Sequence, residues 1–199
     1  MQVPHNYYYY IKAISKEICE KIVAIGRNKI LNPGTVLEPG GKKIIDINLR
    51  DCKVIWINEP WIYELLNPYI SEANEKAGWN FDIDWNQDMQ YASYNKGHYF
   101  GWHSDQGATV YDTDNKNLKG KTRKISLTLQ LTDPNNYEGG NLELKWFGRK
   151  GVEKIETIKD GRELGTIIIF PSFIWHQVTP ITKGKRESLV NWSIGKPWK

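Results

Sequence analysis

The chain contains little cysteine and no long apolar run. Its 199 residues include two cysteines, Cys19 and Cys52, too few for a disulfide framework, and we interpret both as reduced, half-buried residues. No run approaches the length that crosses a bilayer, and residues 1–10 lack the charged and then apolar pattern of a secretion signal. These absences predict a cytoplasmic protein without a membrane partner.

A strong charge of either sign is also lacking. The formal net charge is +4 and the lysines are scattered, so the composition does not argue for a nucleic-acid partner. The apolar share of 40% excludes a disordered chain, and the 13% of aromatic residues favours a cleft lined with flat side chains. We expect residues 1–199 to form one domain, whereas the sequence does not indicate an oligomeric state.

Helical patterns lie before residue 80, and strand patterns dominate after it. Isoleucines recur at helical spacing behind Ser15, and a second helical pattern runs from Pro60 to Gly78, with Pro68 as a kink or a restart. Strands are predicted over residues 7–10, 43–49, 52–57, 81–85, 89–94, 123–131, 140–147, 152–158 and 166–170. We predict a mainly β fold with N-terminal helices (α+β), in which residues 1–80 support a jelly-roll core formed by residues 81–199.

Two polar stretches are predicted to be loops. Residues 32–41 are rich in turn signals and form either a mobile cover over a cleft or an exposed connector. Residues 111–120 are a polar insertion of the kind that forms a lid or a tip.

One short motif places an imidazole and a carboxylate two positions apart, His103-Ser104-Asp105. On an extended segment, side chains two apart point to the same face, so both can reach one point in space. One nitrogen and one oxygen ligand are two-thirds of the facial set that holds non-haem Fe(II). A polar turn can carry the same spacing by chance, so a metal site requires a third ligand.

His176 is the candidate third ligand among the four histidines of the chain. It follows residues 165–170, an apolar run that predicts a buried strand, and a buried imidazole needs either a hydrogen-bond partner or a metal. Arg186, ten residues later, offers a forked donor suited to a carboxylate. His98 lies five residues before His103, on the opposite face of a regular strand, and is interpreted as a surface histidine.

Together these residues resemble the 2-oxoglutarate/Fe(II)-dependent dioxygenases, and among them the prolyl 4-hydroxylases and related bacterial and phage hydroxylases. The distal histidine lies 73 residues after His103, and the basic residue follows ten positions later. Tyr94, the Gly139-Gly140 step and Trp192 fit the same pattern. The resemblance covers roughly residues 85–195.

The resemblance implies a double-stranded β-helix with Fe(II) at its mouth, bound by His103, Asp105 and His176. It implies that 2-oxoglutarate lies against Arg186 and Tyr94. Gln130 is a further candidate contact, although a solvated outer face would explain its position equally well. The reaction would consume O2, release succinate and CO2 and be supported by ascorbate. The carboxylate ligand favours hydroxylation over halogenation.

The same resemblance implies a substrate. Arg123 and Trp192 lie where prolyl hydroxylases contact a target proline, so we predict peptidyl-prolyl 4-hydroxylation of a proline-containing peptide or protein. Leu142 stands where those enzymes commonly place a hydroxylated oxoglutarate contact, and Ile194 stands where they often place a substrate-facing histidine. These two departures count against strict collagen-type specificity.

Three alternatives stay open. A nucleic-acid demethylase of the same superfamily would use the same iron, but that branch carries paired arginines after its distal histidine, where this chain has only Arg186. The substrate could also be a free amino acid or another small metabolite. A jelly-roll binding module without catalysis would carry the same strand pattern and would not turn over oxoglutarate.

Overall fold

The computed structural model of the chain describes residues 3–29, 31–37, 43–148 and 151–198. The elements in these residues are, in chain order, β1 (Tyr8–Tyr10), α1 (Lys16–Arg27), β2 (Asn32–Pro33), β3 (Val36–Leu37), β4 (Lys43–Ile44), β5 (Arg50–Asp51), β6 (Lys53–Ile57), α2 (Pro60–Lys76), β7 (Trp85–Asn86), β8 (Met89–Tyr94), β9 (Tyr99–His103), β10 (Thr122–Gln130), β11 (Tyr137–Gly139), β12 (Leu142–Phe147), β13 (Glu153–Thr157), β14 (Ile167–Pro171), β15 (Trp175–Val178), β16 (Ile181–Gly184) and β17 (Arg186–Gly195). The predicted class, mainly β with helices near the N-terminus, is confirmed.

Both helices form where capping and apolar periodicity predict them. The Ser15 side chain accepts a hydrogen bond from the backbone of Ile18 and caps α1. Pro60 occupies the first turn of α2, where its missing N–H costs nothing. Pro68 lies inside α2, which continues past it to Lys76, and Gly78 follows at a φ of +69°. No helix in the described ranges is long and apolar enough to cross a membrane.

The larger sheet packs one face against the helices. Its strands run in the order β1-β14-β10-β17-β8-β6-β2, and β7 pairs with β17. The apolar side chains at positions 125, 127 and 129 of β10 join a core cluster that includes Ile22 of α1 and Ile62 of α2. The alternate residues Ser126 and Gln130 are also buried, on the other face of the same strand. The expectation of a possible solvated face at Gln130 is therefore wrong.

A smaller sheet covers that second face. Its strands run in the order β13-β12-β15-β9-β5, and two strand pairs, β11-β16 and β3-β4, complete the β structure in the described part of the chain. The Ser126 hydroxyl bonds both Asp105, which follows β9, and Ser172, which precedes β15. Polar side chains therefore meet between the two sheets beside smaller apolar clusters, whereas the largest apolar cluster lies between the larger sheet and the helices.

Two of the strand predictions are wrong in extent. The predicted strand over residues 43–49 ends at Ile44, because the backbone N–H groups of Leu49 and Arg50 donate to the Asp46 carbonyl and form a turn. In residues 81–85 only Trp85 is in a strand, because the Asn74 side chain bonds both backbone groups of Phe81. Both cysteines are fully rather than half buried, and both are free.

The two predicted loops have different outcomes. Residues 38–41 of the predicted loop at 32–41 lie outside the described residues, and its remainder contains β2 and β3. Residues 111–120 contain neither helix nor strand, as predicted. The base of this insertion loop is closed by two backbone hydrogen bonds, from Tyr111 to Lys121 and from Gly120 to Tyr111.

Candidate metal centre

Three predicted ligands meet at one end of the space between the sheets. His103 ends β9 and is the direct cross-strand partner of His176 in β15, so their ring centroids lie 4.1 Å apart. Asp105 follows β9 and places its carboxylate oxygens 3.4 Å from His176 Nε2 and 3.9 Å from His103 Nε2. One ligand atom from each residue lies within 4.8 Å of the others. Two imidazoles and one carboxylate on one face suit Fe(II) and leave coordination positions open.

Backbone carbonyls orient both imidazoles toward that point. His103 Nδ1 lies 2.8 Å from the Gly101 carbonyl, and His176 Nδ1 lies 3.0 Å from the Ile174 carbonyl. Because a carbonyl only accepts, each Nδ1 carries the proton, which leaves each Nε2 lone pair facing Asp105. Burial, and then the neighbouring His176, hold the pKa of His103 well below its usual value, so this imidazole stays neutral as a ligand requires.

A pair of serines that the sequence analysis missed holds the carboxylate. The Ser126 hydroxyl donates to Asp105 Oδ2 at 2.7 Å and lies 3.0 Å from the Ser172 hydroxyl. Burial alone would raise the pKa of Asp105, but His176, Arg123, His103 and this hydrogen bond together lower it to about 2. The sequence held one signal for Ser126, the alternation along β10, which places it on the same face as Gln130.

The space beside the metal centre ends at a buried cation. Arg186 is 2% exposed, and within the described ranges no carboxylate lies within 4.0 Å of its guanidinium. Its one hydrogen bond from the guanidinium reaches the Ser188 hydroxyl at 3.4 Å, and the Tyr94 ring centroid lies 5.5 Å away. Burial raises the pKa of Tyr94, so its hydroxyl stays protonated and can donate. A buried cation without an acidic partner fits an anionic ligand.

Two unpaired polar groups lie beside this cation. The Gln130 amide oxygen and the Tyr137 hydroxyl are buried and have no hydrogen-bond partner among the residues that the structure describes, and both residues line a narrow crevice with Arg186. Leaving such groups unpaired is costly. A carboxylate at this end of the site could accept from the Tyr137 hydroxyl and, with the Gln130 amide turned so that its nitrogen faces the crevice, from Gln130 as well. The residues present therefore fit the far carboxylate of 2-oxoglutarate. Leu142 lines the same crevice and offers no hydrogen bond.

A second buried guanidinium, Arg50, supports the metal centre from the side of the smaller sheet. It donates to the Gln90 amide oxygen at 2.5 Å and to the Thr35 carbonyl at 3.0 Å. Its central carbon lies 4.4 Å from the Phe100 ring centroid, and that ring stacks on His103 at 3.5 Å. No periodic pattern marked Arg50, because its contacts come from segments distant in sequence.

The predicted substrate residues lie on the other side of the metal centre. The Arg123 Nε donates to the Gln87 amide oxygen at 2.6 Å, and one of its terminal nitrogens lies 3.7 Å from Asp105 Oδ1. The guanidinium lies 3.8 Å above the Trp192 ring. The Gln87 amide nitrogen also donates to the Tyr111 hydroxyl at 3.1 Å, which connects the insertion loop to this wall of the site. Gln87 and Tyr111 were not predicted.

His98 is not a surface histidine, and that prediction is wrong. Its side chain is 18% exposed, its Nδ1 is buried without a hydrogen-bond partner, and its Nε2 lies 3.8 Å from the Asp51 carboxylate. The strand-face argument does not apply, because His98 precedes β9 and its backbone N–H closes a turn onto Asn95. It lies outside the cluster of ligand atoms.

Residues 89–194 match the model of the 2OG-Fe(II) oxygenase superfamily, and the chain belongs to this superfamily. Fe(II), 2-oxoglutarate and O2 are the metal and co-substrates that this superfamily implies. Family membership thus favours the enzyme over the binding module among the alternatives that the sequence left open.

Two bacterial relatives are PKHD-type hydroxylases. That of Teredinibacter turnerae is 33% identical over 100 residues, which cover 50% of this chain and 39% of the relative. That of Cupriavidus metallidurans is 32% identical over 99 residues, with the same two coverages of 50% and 39%. The match therefore spans about two-fifths of the length of these relatives.

Solved structures with the same fold include three prolyl hydroxylases. The Pseudomonas putida prolyl-4-hydroxylase has a TM-score of 0.70 at 19% identity, covering 95% of this chain and 92% of that one. A prolyl hydroxylase from Trichoplax adhaerens, in complex with a hypoxia inducible factor peptide fragment, has a TM-score of 0.67 at 17% identity, covering 94% of this chain and 83% of that one. The viral collagen prolyl hydroxylase of Paramecium Bursaria Chlorella virus-1, in its 2OG complex, has a TM-score of 0.63 at 17% identity, covering 97% of each chain. These likenesses confirm the predicted jelly-roll fold.

Proposed function

We propose that the chain is a peptidyl-prolyl 4-hydroxylase in which His103, Asp105 and His176 bind Fe(II). The observation that carries the proposal is the meeting of these three ligand atoms within 4.8 Å. Arg186, a buried cation without an acidic partner among the described residues, lies beside Gln130 at one end of β10, and Arg123, which stacks on Trp192, lies near the other end. The prolyl substrate is supported by the PKHD-type relatives and by the prolyl hydroxylases that share the fold.

Iron(II) with 2-oxoglutarate and O2 supplies the oxidising power to hydroxylate a carbon–hydrogen bond, with release of succinate and CO2. Arg186 and Tyr94 would hold the far carboxylate of the co-substrate, with Gln130 as a third contact in the same crevice. Arg123 and Trp192 would position the substrate over the open side of the metal. Ascorbate would support turnover by keeping the iron ferrous. We propose that residues 1–199 form one domain that carries all of these roles.

The test supplies the purified protein with Fe(II), ascorbate, 2-oxoglutarate and isotopically labelled O2, together with a panel of proline-containing peptides. We expect one labelled oxygen atom on a proline and an equal amount of succinate. His103→Ala is the control, and it should lose both products together with its bound metal. Consumption of oxoglutarate without oxygen on any proline would rule out the prolyl substrate while leaving the oxygenase intact.

A further inference from the structure

Positive charge exceeds negative charge in the described part of the site. Guanidinium groups of Arg50, Arg123 and Arg186 line the described site, and that of Arg162 lines the crevice beside Arg186, where it bonds carbonyl and amide oxygens. Asp105 supplies the carboxylate of the ligand cluster. Among the described residues, the one ion pair in this group joins Arg123 to Asp105 at 3.7 Å. Fe(II) carries two positive charges and 2-oxoglutarate two negative ones, so binding of both would leave the excess unchanged.

The proposed function assigns a partner to most of these charges. The far carboxylate of the co-substrate would neutralise Arg186, while Asp105 and the metal-bound carboxylate would neutralise the iron. Arg50 keeps its charge, but it is 6% exposed and donates to Thr35, Gln90 and Cys52. Arg123 is the remaining cation with an exposed edge.

Apart from Asp105, the described partners of Arg123 are neutral, and one edge of its side chain is exposed. Its Nε bonds the uncharged amide of Gln87, its face covers the Trp192 ring, and its side chain is 14% exposed. Asp105 would be shared with the metal and would therefore compensate Arg123 less. The buried indole N–H of Trp192 also has no acceptor in the described structure. A half-buried cation beside an unpaired N–H favours a ligand that accepts hydrogen bonds and carries negative charge.

We propose that Arg123 is an anion-binding position, so that the substrate carries a carboxylate close to the carbon that is hydroxylated. The inference rests on the proposed function and specifies its substrate class. In a peptide, the carboxylate would be the side chain of an aspartate or glutamate next to the proline. In a free amino acid, it would be the α-carboxylate.

Because residue 87 is neutral, it leaves the charge of Arg123 available to an anionic substrate group. A glutamate of nearly the same shape, held at the same 2.6 Å from the Arg123 Nε, would neutralise the guanidinium from within the protein. Gln87 is fixed in place, because the Tyr111 hydroxyl bonds its amide group and its backbone N–H donates to the Trp192 carbonyl. Gln87→Glu is therefore a nearly isosteric variant that removes the free charge and keeps the surroundings.

The experiment measures binding of matched peptides to the full chain loaded with Mn(II) and N-oxalylglycine, an unreactive analogue of 2-oxoglutarate. The peptides of a pair differ only in glutamate or glutamine, placed directly before or after the proline. Free L-proline and L-prolinamide form a third pair. In one of these pairs we expect the acid to bind about tenfold more tightly or better, since hydrogen bonds to charged groups are worth more than neutral ones. The preference should weaken as salt is added.

The Gln87→Glu variant should bind the acidic and the neutral member about equally. Asn117→Asp is the matched control, because it makes the same change of charge on the insertion loop, where Asn117 is exposed, and should keep the preference. A preference confined to the proline and prolinamide pair would identify a small substrate, and one confined to the peptides would identify an acidic neighbour.

Equal binding within every pair, or no binding by any of them, would overturn the anion-binding position. Hydroxylation of proline in peptides that bind equally would leave the proposed function intact and reject only the charge argument. A preference for the acid in wild type that Gln87→Glu does not reduce would place the anion site away from Arg123 and would also overturn the proposal. A preference for the acid without oxygen transfer to proline would keep the anion site and reject prolyl hydroxylation.

Discussion

Arg186 and Glu187 are adjacent charged residues of β17, and both are 2% exposed, yet their surroundings differ completely. Glu187 accepts hydrogen bonds from Arg27 at 2.6 and 2.9 Å and from the Tyr91 hydroxyl at 2.5 Å, and the Lys185 ammonium lies 2.6 Å away. Arg186 has one long hydrogen bond from its guanidinium and no carboxylate within reach among the described residues. The described part of the protein supplies acidic or basic partners for Glu187 and none for Arg186.

The difference separates stability from function. A buried charge is stabilising only when excellent partners offset its loss of hydration, and Glu187 has them. A buried charge without such partners is a cost to the folded protein, which is expected where binding rather than stability determines the residue. Substitution of Glu187 should therefore lower the free energy of unfolding, whereas substitution of Arg186 should weaken co-substrate binding.

The largest expected effect is that of Arg186→Gln on co-substrate binding. Loss of a charge-assisted, forked contact to a carboxylate should raise the oxoglutarate concentration needed for half-maximal rate roughly a hundredfold. Metal content should be unchanged, and the free energy of unfolding should not fall, because an uncompensated charge has been removed. Steady-state kinetics, metal analysis and urea unfolding test these three expectations.

Arg27→Gln is the matched control for that substitution. It removes a guanidinium whose partner is Glu187, so the free energy of unfolding should fall while the oxoglutarate requirement stays at the wild-type value. If the two arginine variants shifted the same measurement, the distinction between the two charges would be wrong.

The second effect is the loss of stability in Glu187→Gln. The carboxylate joins α1 to the larger sheet through Arg27, and Glu187→Gln removes its negative charge and leaves one acceptor oxygen for the Tyr91 hydroxyl and two cations. We expect the free energy of unfolding to fall by about 2 kcal/mol, the cost of breaking a buried network whose cations can still reach water. Urea unfolding measures it, and the oxoglutarate requirement is expected to stay within twofold of wild type, roughly 0.4 kcal/mol.

The sequence could place the metal ligands but not this network. His103 and Asp105 share a face because of their spacing on an extended segment, and a ligand two residues from another needs no knowledge of the rest of the fold. The partner of Glu187 lies 160 residues away on α1, and no local pattern encodes that contact. The error at residues 43–49 has a different origin, since Asp46 forms a local turn that the apolar alternation does not register.

The same limit applies inside the site. Alternation along β10 separates the residues that face the helices from those that face the smaller sheet, but it does not reveal what lies opposite each of them. Ser126 therefore looked like any small polar residue of a strand, although its hydroxyl holds Asp105. Gln87 and Arg50 carried no signal, because their roles depend on segments that only the folded chain brings together.

The smallest effect is the pH dependence of the stability gap between wild type and Glu187→Gln. Burial raises the pKa of Glu187, but hydrogen bonds from Arg27, Lys185 and Tyr91 outweigh it and hold the pKa below the ordinary value of 4.5. A carboxyl whose pKa is depressed by folding stabilises the protein above its unfolded value, and this contribution is lost as the pH falls through the folded value. The gap should therefore be constant above about pH 5.5 and should shrink steadily below about pH 4.5. Urea unfolding of both proteins across this range measures the gap in the free energy of unfolding.

A gap that persisted unchanged at low pH would mean that the network depends on the shape and hydrogen bonds of residue 187 rather than on its charge. The difference between Arg186 and Glu187 would then be a difference in packing and not in charge compensation.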